Sequence, residues 1–198
     1  MRENYQPFHI GNRFIVVPPE SHYSANDRIP LIMERGAFGS GEHETTKSCI
    51  ELLEKLPIKG NPRVLDLGSG TAILTIAARL LNPTGLAWCV DIEQEAVESG
   101  QRNCQLNGLN TDITHQCGTL DQLEEKGFDL ILANIYGDIL LAITADLVAK
   151  ANPGAAIILS GVLWEYNFDV RQAFQRAGCT VIKNRLLTEF STVLLQKD

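Results

Sequence analysis

Three short stretches place ligand-binding residue types directly after an apolar run. The first is Asp66-Leu67-Gly68-Ser69-Gly70-Thr71-Ala72. Glycines let the backbone come close to a bound group, and the start of a following helix offers free N–H groups to an anion. The same turn can also join a strand to a helix with no ligand at all. The second is Asp91, after Leu-Ala-Trp-Cys-Val at 86–90. An acid there can accept hydrogen bonds from both hydroxyls of a ribose, or it can cap a helix beginning near Glu93. The third is Asn134 in Ala133-Asn134-Ile135-Tyr136. It either faces the crevice that the glycine turn faces or satisfies the backbone of its own turn. A dinucleotide site needs G-x-G-x-x-G, and its third glycine would fall on Ile73, which weighs against NAD and FAD.

The elements that must position these residues follow from periodicity. Residues 63–67 read as a strand, and 73–81 as a helix ended by Asn82-Pro83. A strand over 86–90 leads to a helix over 93–109 that Asn107-Gly108 stops. A weaker strand covers 112–117, and the near-continuous apolar run 128–135 suits a strand buried on both faces. A helix over 138–150, stopped near Pro153-Gly154, precedes a buried strand over 155–162 and a helix over about 165–177. Residues 179–197 alternate like two antiparallel strands. Repeated strand–helix–strand units predict an α/β, doubly wound, mostly parallel sheet with an antiparallel C-terminal edge hairpin. Residues 1–62 differ, with a short β-hairpin in Phe8–Glu20 and a helix over 45–56. They are expected to form an extension packed on a core domain of residues 63–198.

Composition narrows the function. The chain has 198 residues, 44% hydrophobic and 21% charged, which suits a globular domain. Its net charge of −7 disfavours a nucleic-acid clamp. The acid is concentrated: residues 64–162 carry 4 basic and 12 acidic side chains, whereas residues 1–63 carry 8 of each. That middle segment suits a cationic ligand, or is simply a solvated acidic surface. The five cysteines, Cys49, Cys89, Cys104, Cys117 and Cys179, form no C-x-x-C pair. They read as small apolar residues in a reducing compartment, with no metal site implied. No signal core or membrane span is visible, so a cytoplasmic protein is expected.

The glycine turn fits D-x-G-x-G-x-G with Ala72 in the last place, and so resembles the signature of class I S-adenosyl-L-methionine (AdoMet) methyltransferases. Upstream, Gly36-Ala37-Phe38-Gly39-Ser40-Gly41-Glu42-His43-Glu44-Thr45-Thr46 is similar to the A-F-G-T-G-x-H-x-T-T segment of the PrmA family. These are bacterial methyltransferases of a ribosomal large-subunit protein. The motifs at 37–46 and 64–74, Asp91, Ala133-Asn134-Ile135 and Leu159-Ser160-Gly161 agree in order and spacing, from about Phe8 to Phe168. The resemblance implies a Rossmann-like class I methyltransferase fold with AdoMet as cofactor. By position it puts cofactor contacts on Thr46, Gly68, Asp91 and Asn134, with Phe38 nearby. The rest of the turn, Asp66, Ser69 and Gly70, and Ile92 beside Asp91 complete the candidate cofactor set.

His43, between two acids, invites a general-base role, although such a histidine more often holds a loop together. Thr45 or Thr46 is expected to cap the following helix. Family members carry an N-terminal substrate-recruiting domain, which this sequence is expected to lack. The implied activity is direct in-line methyl transfer to a protein amine, a lysine, with Asn134 positioning the reactants. The alternatives are methylation of a small molecule or RNA, or a non-catalytic AdoMet-binding partner subunit.

Overall fold

A computed structural model describes residues 6–23, 27–34, 41–58 and 60–198. Phe38 lies outside the described residues.

The central sheet has seven strands: β4 (Arg63–Leu67), β5 (Leu86–Asp91), β6 (Ile113–Cys117), β7 (Phe128–Asn134), β8 (Ala151–Leu163), β9 (Cys179–Leu186) and β10 (Phe190–Lys197). Their order is β6-β5-β4-β7-β8-β10-β9. All neighbours are parallel except β10, which runs antiparallel to both β8 and β9. The α/β class and the antiparallel C-terminal hairpin are therefore as expected.

Side chains alternate between the two faces with a period of two. Val64, Leu130, Leu132 and Ile158 pack on one face with α1 (Glu44–Leu53), α2 (Ile73–Leu81) and Cys104 of α3 (Gln94–Leu106). Leu65, Leu67, Ile131, Ala133, Ile157 and Leu159 pack on the other with α4 (Gly137–Lys150) and α5 (Trp164–Arg176). This two-sided burial explains why the central strands read as continuous apolar runs.

Residues before β4 add a three-stranded sheet, in which β1 (Phe8–Ile10) pairs antiparallel with β2 (Phe14–Val17). β3 (Ile29–Ile32), absent from the sequence reading, runs parallel to β2. It contains Pro30, which cannot donate to a ladder, and it lies at the edge of its sheet, where a proline is tolerated. Ile10, Phe14, Leu31 and Met33 of this region share the core of the α1–α2 face.

Chain direction reverses about β4. The sequence proceeds outward through β5 and β6, then returns to place β7 on the other side of β4. Such a switch point opens a crevice at the carboxyl ends of the strands, where open α/β sheets take ligands. The glycine turn leaves β4 and Asn134 ends β7, so the two bracket that crevice.

Candidate functional site

The turn after β4 is built around backbone that most residues avoid. Gly68 has φ +68°, and a Cβ there would stand 2.3 Å from Ile135 Cγ2. Both conformation and space therefore require glycine. The amides of Gly68 and Ser69 donate to Val90 O at 2.8 and 3.2 Å, locking the turn to the end of β5. A Cβ on Gly70 would meet nothing within 4 Å, so the turn opens there. Ala72, at the start of α2, also has φ +60°. The substitution from glycine is thus tolerated in size but strained in backbone, at roughly 1–2 kcal/mol.

Asp91 and the turn are one hydrogen-bonded unit. Asp91 Oδ2 accepts from Gly70 N at 2.8 Å, and Oδ1 accepts from Glu93 N at 3.1 Å. The second bond is made to the residue before α3, whose N-cap is Glu93 with no side-chain cap, so Asp91 does not cap that helix. A carboxylate has about four acceptor positions, so two remain for a ligand. Next to it Ile92 is 70% exposed, an apolar surface at the mouth of the crevice.

Asp66 sits differently. Being even-numbered on β4, it points with Val64 towards α1 and α2 and is only 1% exposed. Its Oδ2 accepts from Thr75 N at 3.1 Å and Thr75 Oγ1 at 2.7 Å. Thr75 lies in the first turn of α2, whose N-cap, Ala72, has no capping side chain. Asp66 thus supplies from the strand the cap that α2 lacks locally. Burial, opposed by the Thr75 bonds and reinforced by the charge of Asp91, raises its carboxyl to about 7. Burial likewise pushes the Cys49 and Cys104 thiols up to about 12, which keeps these cysteines protonated core residues.

Asn134 is half-buried at the end of β7, paired in register with Ser160 of β8. Its side-chain amide has no hydrogen-bond partner among the described residues. Gly161, with φ +75°, lets β8 approach: a Cβ there would lie 2.8 Å from Ile135 O and 3.2 Å from Asn134 Oδ1. The Leu-Ser-Gly stretch therefore shapes the wall beside Asn134.

The N-terminus of α1 forms another wall. His43 is its N-cap: Nδ1 accepts from Thr45 N at 3.3 Å and lies 2.8 Å from Thr45 Oγ1. The expectation that Thr45 or Thr46 caps this helix is corrected, because the helix begins a residue earlier, at Glu44. Both threonines are buried inside its first turn. The His43 ring also meets Phe190 edge-on, with centroids 5.3 Å apart. Glu44 accepts from the amides of Thr188 and Glu189 at 3.0 and 3.3 Å. Desolvation raises its pKa, but the hydrogen bonds from the 188–190 turn outweigh this and hold it below the usual value.

Sequence reading missed Asn103. Fully buried on α3, it donates from Nδ2 to Thr71 O at 3.1 Å and accepts at Oδ1 from Glu34 N at 2.8 Å. It ties the glycine turn to the chain just after β3. Its partners stand 32 and 69 positions away, so no local pattern betrays it. Its only sequence signal is a polar residue on the buried face of a helix.

The strand order, the glycine turn and the strand-end acid define a class I methyltransferase fold. Comparison with known proteins agrees. The chain belongs to the family described as ribosomal protein L11 methyltransferase (PrmA), whose profile matches residues 1–198. It is 32% identical over 200 residues to the ribosomal protein L11 methyltransferase of Brevibacillus brevis, covering 99% of this chain and 63% of that protein. It is 38% identical over 179 residues to the enzyme of the same name from Pelobacter propionicus, covering 87% of this chain and 57% of that one. The chain therefore spans less than two-thirds of the length of these relatives. Among solved structures, a ribosomal protein L11 methylase from Lactobacillus delbrueckii subsp. bulgaricus superposes with a TM-score of 0.86 at 26% identity, covering 98% of this chain and 99% of that one. A SAM-dependent methyltransferase from Aquifex aeolicus shares the fold, with a TM-score of 0.63 at 16% identity over 76% of this chain and 89% of that one.

Proposed function

We propose that this chain is an AdoMet-dependent methyltransferase acting on a protein lysine, with ribosomal protein L11, the substrate named for its relatives, as the acceptor. The observation that carries the reading is the bond from Gly70 N to Asp91 Oδ2. It holds a carboxylate with spare acceptor positions beside an open stretch of backbone, at the switch point of the sheet.

The residues fit the cofactor. Asp91 would take the ribose hydroxyls, and Ile92 would lie against the adenine. Gly68, Ser69 and Gly70 line the approach, and Asp66 holds the turn's shape through Thr75. Thr46 would complete the pocket from the N-terminal side, and the family resemblance adds Phe38 to the contacts. When bound, AdoMet supplies a methyl group already activated by a sulfonium. The chain supplies orientation, which can contribute about 7–11 kcal/mol of a barrier. Asn134, with an unpartnered amide at the end of β7, positions the acceptor amine against that methyl. A lysine must first release its proton, at about 4.6 kcal/mol at neutral pH from a pKa of about 10.4, and a desolvated crevice lowers that cost. His43 is engaged in capping α1, so the proton leaves to water.

No helix among the described residues is long and apolar enough to cross a membrane; the cytoplasmic setting is supported by the ribosomal protein named as the relatives' substrate. Calorimetry should show AdoMet binding that Asp91→Ala weakens at least tenfold; unchanged binding in that variant overturns the ribose assignment. Radiolabelled AdoMet with L11 and total RNA should label the protein, whereas label confined to RNA or to small molecules overturns the acceptor.

A further inference from the structure

β8 runs on past Asn134 to the start of α5. There a shallow depression is lined by Leu163, Trp164, Glu165, Thr188 and Glu189. Trp164 dominates it. The side chain is 53% exposed, yet the indole is fixed: Nε1 donates to Phe190 O at 2.9 Å, and the backbone N donates to Glu189 O at 3.2 Å. An aromatic face that is both wet and immobile loses little conformational freedom when a ligand covers it. Among the described residues that line it, the charges have one sign. Glu165 and Glu189 line the depression and no lining residue is basic; Asp169 follows one helical turn after Glu165 and is exposed. Arg185, the nearby cation on β9, is taken by Glu51 of α1 at 2.9 Å. The partial positive charge at the start of α5 is offset by Glu165 in its first turn. The 188–190 turn is itself held in place by Glu44.

We propose that this depression docks a basic segment of the protein substrate, with a lysine ammonium seated on the Trp164 indole between Glu165 and Glu189. A rigid aromatic face flanked by carboxylates favours an ammonium through both its quadrupole and its neighbours. Ser160 pairs with Asn134, and Leu163 lies three residues further along β8, roughly 10 Å at strand rise. The docked lysine is therefore a neighbour of the reacting one, and the depression reads the basic context of the acceptor. This inference rests on the protein-lysine reading of the crevice and adds the place where the substrate is held.

The test uses the full chain labelled with nitrogen-15. Trp88 and Trp164 are its two tryptophans, and Trp88, 8% exposed, serves as the internal reference. Titration with Nα-acetyl-lysine methylamide should move the Trp164 indole signal saturably and leave Trp88 unmoved. The uncharged norleucine analogue should have little effect, and Glu165→Gln/Glu189→Gln should weaken lysine binding about fivefold. An unmoved Trp164 signal, or equal response to norleucine, overturns the docking site. AdoMet calorimetry on the same sample separates the two claims. Docking without AdoMet binding defeats the methyltransferase reading alone, and AdoMet binding with a silent Trp164 defeats the docking site alone.

Discussion

Replacing Asp66 by asparagine tests the account of the glycine turn most directly. Asn keeps an oxygen to accept from Thr75 N and Oγ1 but removes a charge that burial opposes. The wild-type carboxyl titrates near 7 in the folded chain against an ordinary value of 3.8. Between those values the folded protein holds a proton that the unfolded chain has lost, so the stability contributed by Asp66 is fully present below pH 3.8 and is lost as pH rises through 7. At 1.36 kcal/mol per unit the full span is roughly 4 kcal/mol, of which about 3 kcal/mol falls between pH 5 and pH 8. The asparagine NH2 adds a buried donor whose cost, about 1–3 kcal/mol, does not titrate. Urea unfolding of both proteins across this range should therefore give a wild-type-minus-variant stability that falls by about 3 kcal/mol from pH 5 to pH 8. Parallel stability profiles would refute the reasoning, because they would mean that Asp66 ionises in the fold as it does in water.

Three further outcomes follow from the same framework. Gly68→Ala meets both a positive φ and the Ile135 side chain; it should lose at least about 2 kcal/mol, some 4–8 °C in Tm by thermal melting, and its AdoMet affinity with it. Asn103→Ala removes the bonds from Asn103 to Thr71 O and from Glu34 N to Asn103; a loss of about 1–3 kcal/mol in denaturant unfolding is expected. Glu44→Ala frees the amides of Thr188 and Glu189, whose hydrogen exchange should quicken about tenfold, a change of ~1.4 kcal/mol in local opening; wild-type exchange would show that Glu44 does not hold the turn.

Much of this was legible from residue type alone. Arg63–Leu67 and Ile73–Leu81 have the expected bounds because a glycine turn separates them and Asn82-Pro83 stops the helix. Gly68, Gly70 and Asp91 could be associated from sequence because β4 and β5 are parallel neighbours whose ends must converge. What escaped was long-range or mixed in signal. Ile29–Ile32 is four residues long and contains a proline, so nothing local marks it as a strand. The residues 151–154 before the predicted last parallel strand belong to it despite Pro153-Gly154, because Ala151 pairs with Phe128 and Ala156 with Leu130 while Pro153-Gly154 is taken up in an irregularity between those pairs. The role of Asp66 as a remote cap depends on the face of β4 it occupies, which becomes fixed only when the helices dock.

The order in which the sheet is completed bears on biosynthesis. β10, which follows β8 and β9 in the chain, lies between them rather than at the edge. Until it is in place β8 has an unpaired side, and the turn that anchors Glu44 across 144 residues does not exist. A chain still emerging during translation therefore presents an open sheet edge and an unfinished rim to its crevice. Contacts of such sequence separation close late. The nascent protein keeps an open sheet edge, in need of protection from edge-to-edge association, until Phe190–Lys197 has emerged.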